Sequence, residues 1–234
     1  MSQYGQPGIW ETRSVTATFK ACHVELAGQQ IELLPDPALW WPAERVLFIA
    51  DLHLGKAATY RALGQPVPSG TTHANLARLD RLVDRHAPGE IVFLGDFLHA
   101  AQARTSQLLA AVEAWRDRHP TLACTLVRGN HDSRAGDPPA SLRIGVVDEP
   151  HPIGPFAACH HPQQQPARFV LAGHVHPTLK LHGRGRDSVR LPCFVQEGDQ
   201  LILPAFGEFT GGWRVDAAPD RRFYAVGGDA VWKV

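Results

Sequence analysis

Side chains that bind metals recur in five short clusters, each at the end of an apolar run. Asp51 and His53 follow "VLFIA", and Asp96 follows "IVFL" and a glycine. Asn130 and His131 follow "TLACTLV" and Arg128-Gly129. His160 and His161 follow "PFAAC", and His174 and His176 follow "FVLA" and a glycine. Carboxylate, imidazole and amide donors with no thiolate suit Mn²⁺, Fe or Zn²⁺ better than the softer metals. Asp96, in the middle of the set, could bridge two such ions, with the neutral imidazoles and the amide oxygen filling the remaining positions. For that to happen, five chain segments must end at the same place.

The runs themselves say what kind of segment they are. Four to seven apolar residues rich in Val, Ile and Phe, closed by Gly, Pro or a polar cluster, suit strands buried on both faces. Helical patterns lie between the first three. Leu76, Leu79, Val83 and His86 form one stripe, with Arg78, Asp80, Arg81 and Asp84 on the other side; Leu108, Leu109, Val112 and Trp115 form a second, with Thr105 or Ser106 as its cap. Strand–helix–strand–helix–strand is the pattern of an open α/β sheet, whose ligand site lies beyond the carboxyl ends of the strands. From about residue 142 the helical patterns stop. "LRIGVV", "SVRLPCFV", "QLILPAF" and "RRFYAV…AVWKV" read as strands of a second, more antiparallel sheet. The expectation is one α/β domain with two sheets over residues 1–234.

Bulk properties exclude less than they allow. Lys plus Arg and Asp plus Glu both number 23, so net charge makes no case for a nucleic-acid or membrane partner. "GRGRDSVR" (183–190) is the best candidate for a local basic patch. Cys22, Cys124, Cys159 and Cys193 form no C-x-x-C pair and read as free thiols in a reducing compartment. No apolar run approaches the ~20 residues of a membrane span, and the first twenty residues lack the apolar core of a signal peptide. A cytoplasmic location without membrane contact is expected.

"DLH" at 51–53, "GD" at 95–96, "GNHD" at 129–132, the strand-ending His160 and "GHVH" at 173–176 together resemble, in order, the signature of the calcineurin-like metallophosphoesterases. The resemblance implies a two-sheet α/β/β/α sandwich. It implies two divalent ions, Mn²⁺ first and Fe or Zn²⁺ as alternatives. Asp51, His53 and His176 would hold one, Asn130, His160 and His174 the other, with Asp96 bridging. His160 and His161 are adjacent and only one need be a ligand; His160 is chosen, with His161 at the rim. His131 looks like the general acid or phosphate contact, with Asp132 orienting its ring and Gly129 permitting the sharp exit from the strand. Two ions ~3.5–4 Å apart bind phosphoester oxygens and lower the pKa of a shared water towards ~7, giving a bridging hydroxide that attacks phosphorus.

"DLHLGK", "AATYRALGQPVPSG", "GDFLHA" and "LPAFGEFTGG" further resemble the bacterial metallophosphoesterases associated with DNA ligase and helicase genes, a predicted DNA-repair group. That resemblance implies a phosphodiester substrate, with DNA as the candidate, and functional association with ligase and helicase. A homodimer is expected because relatives often are dimers. "GDFLH" is also similar to the G-D-x-x-H of DNA-repair nucleases, which would put His99 at the active site. Lys56, Arg61 and Arg128 could add charge for a phosphate backbone, although Lys56 and Arg61 read first as solvated loop charges. His23, His73, His86, His119 and His151 are read as surface or core residues, and Glu208 and Thr210 as shaping a turn. A metal-dependent phosphodiesterase is therefore weighed against a small-phosphate hydrolase (a phosphomonoesterase or nucleotide pyrophosphohydrolase) and a non-catalytic binding scaffold.

Overall fold

A computed structural model of the chain describes residues 19–62, 64–67, 70–183, 187–208 and 210–234. The first sheet is ordered β1 (Cys22–Leu26), β2 (Gln29–Leu34), β3 (Ala38–Trp41), β4 (Val46–Ile49), β5 (Glu90–Phe93), β6 (Ala123–Val127) and β7 (Gly145–Val147). Strands β1 to β4 pair antiparallel, and β4 to β7 pair parallel. The β1–β2 turn uses Ala27 and Gly28, both at positive φ, as a two-residue hairpin requires.

Helices α1 (Lys56–Ala62), α2 (Thr71–His86) and α3 (Ser106–Arg118) lie in the crossovers, and a short α4 (Asn130–Ala135) starts just past β6. Thr105 caps α3, its hydroxyl accepting from the Leu108 N–H at 3.2 Å. Residues alternate along the parallel strands. Leu47, Ile49, Ile91, Phe93 and Leu126 pack with Leu76, Leu79, Val112 and Trp115 of the helices. Phe48, Val92 and Val127 face the other way, into a core shared with Phe156, Leu171, Phe194 and Leu201. Burial of each such side chain stabilises by roughly 1.5–3 kcal/mol, so register is fixed from both faces.

That shared core joins the second sheet. It contains β8 (His151–Ile153), β9 (Phe156–Ala158), β10 (Phe169–Ala172), β11 (Pro177–His182), β12 (Ser188–Glu197), β13 (Gln200–Ile202), β14 (Trp213–Arg214), β15 (Arg221–Gly227) and β16 (Ala230–Lys233). Its order is β14-β11-β12-β13-β10-β9-β8, with β15 paired to β12 and β16 to β15. Strands β9, β10 and β13 are mutually parallel, so this sheet is mixed rather than antiparallel throughout.

The two-sheet α/β sandwich stands. One placement differs from the sequence reading: "LRIGVV" supplies β7, which joins the first sheet beside β6 instead of opening the second. Among the described residues every helix precedes residue 143, so the outer face of the second sheet carries none. No helix among them is long and apolar enough to cross a membrane. All four cysteines are free, and burial pushes the thiols of Cys124 to about 11 and of Cys159 and Cys193 to about 12.

Candidate metal centre

Parallel neighbours end at the same edge of a sheet. The ends of β4, β5 and β6 lie side by side in the first sheet, and those of β9 and β10 in the second. The five clusters read from the sequence therefore meet. Each exit is abrupt: Asp51, His53, Asp96, His174 and His176 have φ between 44° and 69°. Left-handed backbone at a non-glycine residue costs on the order of 1–3 kcal/mol, although Asp and His tolerate it better than most. Neighbouring loops hold these turns in place, with the N–H of His53 donating to Asp96 O at 2.8 Å and that of Gly207 to Asp51 O at 3.1 Å.

The donor atoms fall into two groups. In the first, His176 Nε2 lies 3.4 Å from Asp51 Oδ1 and 3.2 Å from His53 Nε2. In the second, His160 Nε2 lies 2.9 Å from Asn130 Oδ1 and 3.1 Å from His174 Nδ1. Asp96 stands between them with one oxygen towards each. Its Oδ2 is 3.6 Å from His53 Nε2, and its Oδ1 is 3.5 Å from His160 Nε2.

Outer hydrogen bonds say which ring nitrogens carry protons. His160 Nδ1 donates to Leu94 O at 3.0 Å, and His176 Nδ1 donates to Thr210 O at 3.2 Å. A carbonyl only accepts, so Nε2 of each neutral ring presents a lone pair. His160 Nε2 thus faces an amide oxygen and a carboxylate oxygen, acceptor against acceptor. Burial first, and then neighbouring imidazoles, hold His53 and His174 below the usual histidine range, which keeps their lone pairs available. Asp51 is wholly buried, and its Oδ1 has no hydrogen-bond partner. Its Oδ2 accepts from the His174 N–H at 2.8 Å, so Oδ1 is the oxygen left bare, and a buried charge left partly unpaired is costly. Bonds of about 2.1 Å to a common cation would set adjacent ligand atoms about 3.0–3.4 Å apart, close to the separations seen. The residues fit two divalent cations.

The adjacent histidines differ. His160 is fully buried, whereas the His161 side chain is 44% exposed and its Nδ1 contacts Glu149 Oε1 at 2.7 Å. His161 still lies beside His174, ring centroids 4.4 Å apart. Glu149 also accepts from the backbone N–H groups of His160 (2.6 Å) and His161 (2.9 Å). Burial raises its carboxyl, but the donors of His161 and His160 outweigh that and leave it below the usual range. Sequence reasoning missed Glu149, since no motif marks it. Thr210 was read only as shaping a turn. Its carbonyl accepts from His176 and also from Lys56 Nζ at 3.1 Å.

His131 donates its backbone N–H to Asp96 Oδ1 at 2.9 Å and its Nδ1–H to His99 O at 2.6 Å. The His99 ring stacks on that of His131 (centroids 5.1 Å apart) and on Tyr60 (6.0 Å). Burial, then Lys56 and His131, push the His99 imidazole down to about 4.

Two expectations are corrected here. Asp132 does not orient the His131 ring. Its carboxylate accepts from the backbone N–H groups of Phe97 (3.0 Å), Leu98 (3.2 Å) and Gly129 (3.0 Å), tying the turn after β5 to the turn after β6. Burial raises the Asp132 carboxyl to about 6 against the pull of those donors. The carbonyl of His99 orients His131 instead. Gly129, for its part, has an ordinary φ of −92°. Glycine is required because a Cβ would fall 2.4 Å from Asp96 Oδ1 and 2.5 Å from Asp96 N.

The basic residues separate. Lys56 begins α1 rather than sitting in a loop and is half-buried; burial lowers its amine while Asp96 and Asp51 oppose that. Arg61 lies on α1, lining a cavity with His73. Arg128 pairs with Asp137 at 2.9 Å and contacts Asp148, so its charge is already matched.

The calcineurin-like phosphoesterase family model matches residues 44–162. Among solved structures, the nuclease MPE of Pseudomonas putida is 51% identical, with a TM-score of 0.81, covering 92% of this chain and 100% of that one. YfcE, a phosphoesterase from E. coli, is 16% identical (TM-score 0.41; 81% and 97% covered). A Streptococcus pneumoniae protein described as a predicted phosphoesterase is 15% identical (TM-score 0.33; 81% and 95% covered). No curated protein matches the chain.

Proposed function

Because the chain belongs to the calcineurin-like phosphoesterase family, we propose that it is a dinuclear metal-dependent phosphodiesterase that cleaves nucleic acid, DNA first. The observation that carries this reading is the pair of donor groups with one Asp96 oxygen towards each. Asp51, His53 and His176 would hold one cation, Asn130, His160 and His174 the other, and Asp96 would serve both. Mn²⁺ is the proposed metal, on the nitrogen-and-oxygen donor set. When bound, the ions supply positive charge for the phosphoester oxygens and an acidified water as nucleophile.

The chain's own residues do the rest. His131, its Nδ1–H committed to the His99 carbonyl, keeps Nε2 for the leaving oxygen; in the doubly protonated ring Nε2–H delivers its proton there and the ring is left neutral, with Nδ1–H still on the carbonyl. His99 fixes that ring through its carbonyl and through stacking. Lys56 adds charge at the rim. Support for nucleic acid as substrate is the 51% identity, across almost the whole chain, with a protein named as a nuclease. We extend the reading to a cytoplasmic DNA-repair setting beside a DNA ligase and helicase, with the protein as a homodimer.

The test is turnover by chelator-stripped protein refilled with Mn²⁺, on a bis-aryl phosphodiester and the matching aryl monoester. Metal-dependent preference for the diester is expected. Preference for the monoester would replace this reading with a small-phosphate hydrolase.

A further inference from the structure

A groove of about 450 Å³ is lined by His176 together with Arg78, Gly207, Thr178 and Pro192. Thr178 and Pro192 are cross-strand partners in the β11–β12 ladder, so both present side chains to the groove face. Side chains repeat every second residue along a strand. The next pair on that face is Lys180 opposite Arg190. Both are exposed, and among the described residues neither makes an ion pair. Like charges placed directly opposite each other destabilise a ladder, and here no carboxylate relieves them. The other charges nearby are matched. Arg78 and Arg81 pair with Asp36, Arg78 also with Glu208, and Arg214 pairs with Asp216. The unmatched positive charge of this face therefore sits one cross-strand pair beyond Thr178 and Pro192, which line the groove. Lys180 lies four positions beyond His176, about 13 Å along a strand. At about 3.4 Å per phosphate along one strand of a duplex, that distance is a few nucleotides.

We propose that this groove is the track for one sugar-phosphate strand of the substrate, with Lys180 and Arg190 holding its backbone phosphates on one side of the scissile bond. The proposal rests on the nucleic-acid reading above but does not need catalysis to be tested. The segment of local basic charge in the chain, "GRGRDSVR", overlaps it at Arg190; residues 184–186 of that segment lie outside the described residues.

The experiment measures the Kd of a fluorescein-labelled 20-nucleotide single strand against salt, for wild type and for Lys180→Gln/Arg190→Gln. The charge-matched control is Arg222→Gln/Lys233→Gln. Arg222 pairs with Gln196, six positions along β12 from Arg190 and about 20 Å away. Turnover of the bis-aryl diester checks that each variant is folded and active. Losing two phosphate contacts should make the slope of log Kd against log salt shallower by about 1.4, at ~0.7 per contact for a single strand, with diester turnover unchanged. The control should keep the wild-type slope. A double variant with the wild-type slope overturns the proposal. So does a wild type that turns over the diester yet binds no oligonucleotide, which would leave the phosphodiesterase reading standing. Salt-dependent binding that the double variant weakens, in a protein with no diester turnover, would keep the track and remove the catalytic reading.

Discussion

Gly129→Ala tests the centre through its packing rather than through a ligand. The new methyl would sit 2.4 Å from Asp96 Oδ1, 2.5 Å from Asp96 N and 3.1 Å from Gly95 Cα. Carbon contacts relax at about 3.5–4.0 Å, so Asp96 must move by roughly 1 Å. Its backbone is already in the left-handed region, with φ of 51°, and its N–H is one of the atoms struck. Overpacking of this kind costs about 1–3 kcal/mol, less than the roughly 5–15 kcal/mol that holds a folded protein together. The catalytic cost is larger, because Asp96 directs its two oxygens at His53 and His160 from 3.6 and 3.5 Å. A displacement of 1 Å in such a constellation costs about 10²-fold in rate. The assay is kcat on the bis-aryl diester, with bound Mn²⁺ by elemental analysis and Tm by scanning fluorimetry. Gly145→Ala is the control, since its Cβ would meet only Cys124 O, at 3.8 Å. Gly129→Ala should fold, with roughly a hundredth of the rate and reduced metal, and Gly145→Ala should behave like wild type. Wild-type rate and metal content in folded Gly129→Ala would show that the position of Asp96 does not matter, and the bridging assignment would go with it.

Asp96→Ala should lose both metal loading and turnover; full activity in correctly folded protein would refute the bridge. His131→Ala should keep its metal and lose about 10²–10⁴ in rate, and wild-type turnover would remove it from the mechanism. His99 gives a pH prediction for chelator-stripped protein. Its folded value of about 4 lies below the ordinary 6.5, so folding disfavours its proton. The stability it contributes is present above about 6.5 and is lost as pH falls towards 4. His99→Gln should therefore flatten the fall in Tm across that window, and an unchanged profile would count against a neutral, buried His99. Adding Mn²⁺ to stripped wild type at about 100 times its Kd should stabilise it by about 2.7 kcal/mol, seen as a rise in Tm that Asp96→Ala does not show.

Much of this centre is legible in the sequence because strand ends are. A buried strand must be apolar throughout, so a carboxylate or imidazole right after "VLFIA" or "FVLA" stands out, and parallel pairing brings such ends together. The β1–β3 meander left no comparable mark on the reading. "CHVEL" and "QQIELL" alternate between exposed and buried positions, and nothing in them bears on chemistry. β7 was misplaced for a related reason. "GVV" shows that a strand exists, but which neighbour it joins depends on the turn before it, where Arg143 takes a φ of 51°.

What stayed hidden is the set of contacts that aim the ligands. Left-handed backbone at Asp51, His53, Asp96, His174 and His176 has no sequence signature, because Asp and His are equally at home in ordinary turns. Asp132 shows how proximity misleads. It follows His131 in the chain, yet α4 begins at Asn130 and turns consecutive side chains about 100° apart. Asp132 therefore points back to the N–H groups of Phe97, Leu98 and Gly129 while His131 turns to the His99 carbonyl. The arrangement is economical in residues. One carboxylate locks the β5 and β6 exits together, and these exits carry Asp96 and Asn130. The geometry between the two donor groups thus depends on a side chain that touches neither, which is why positions beyond the ligands, Gly129 among them, should be sensitive to substitution although they hold no metal.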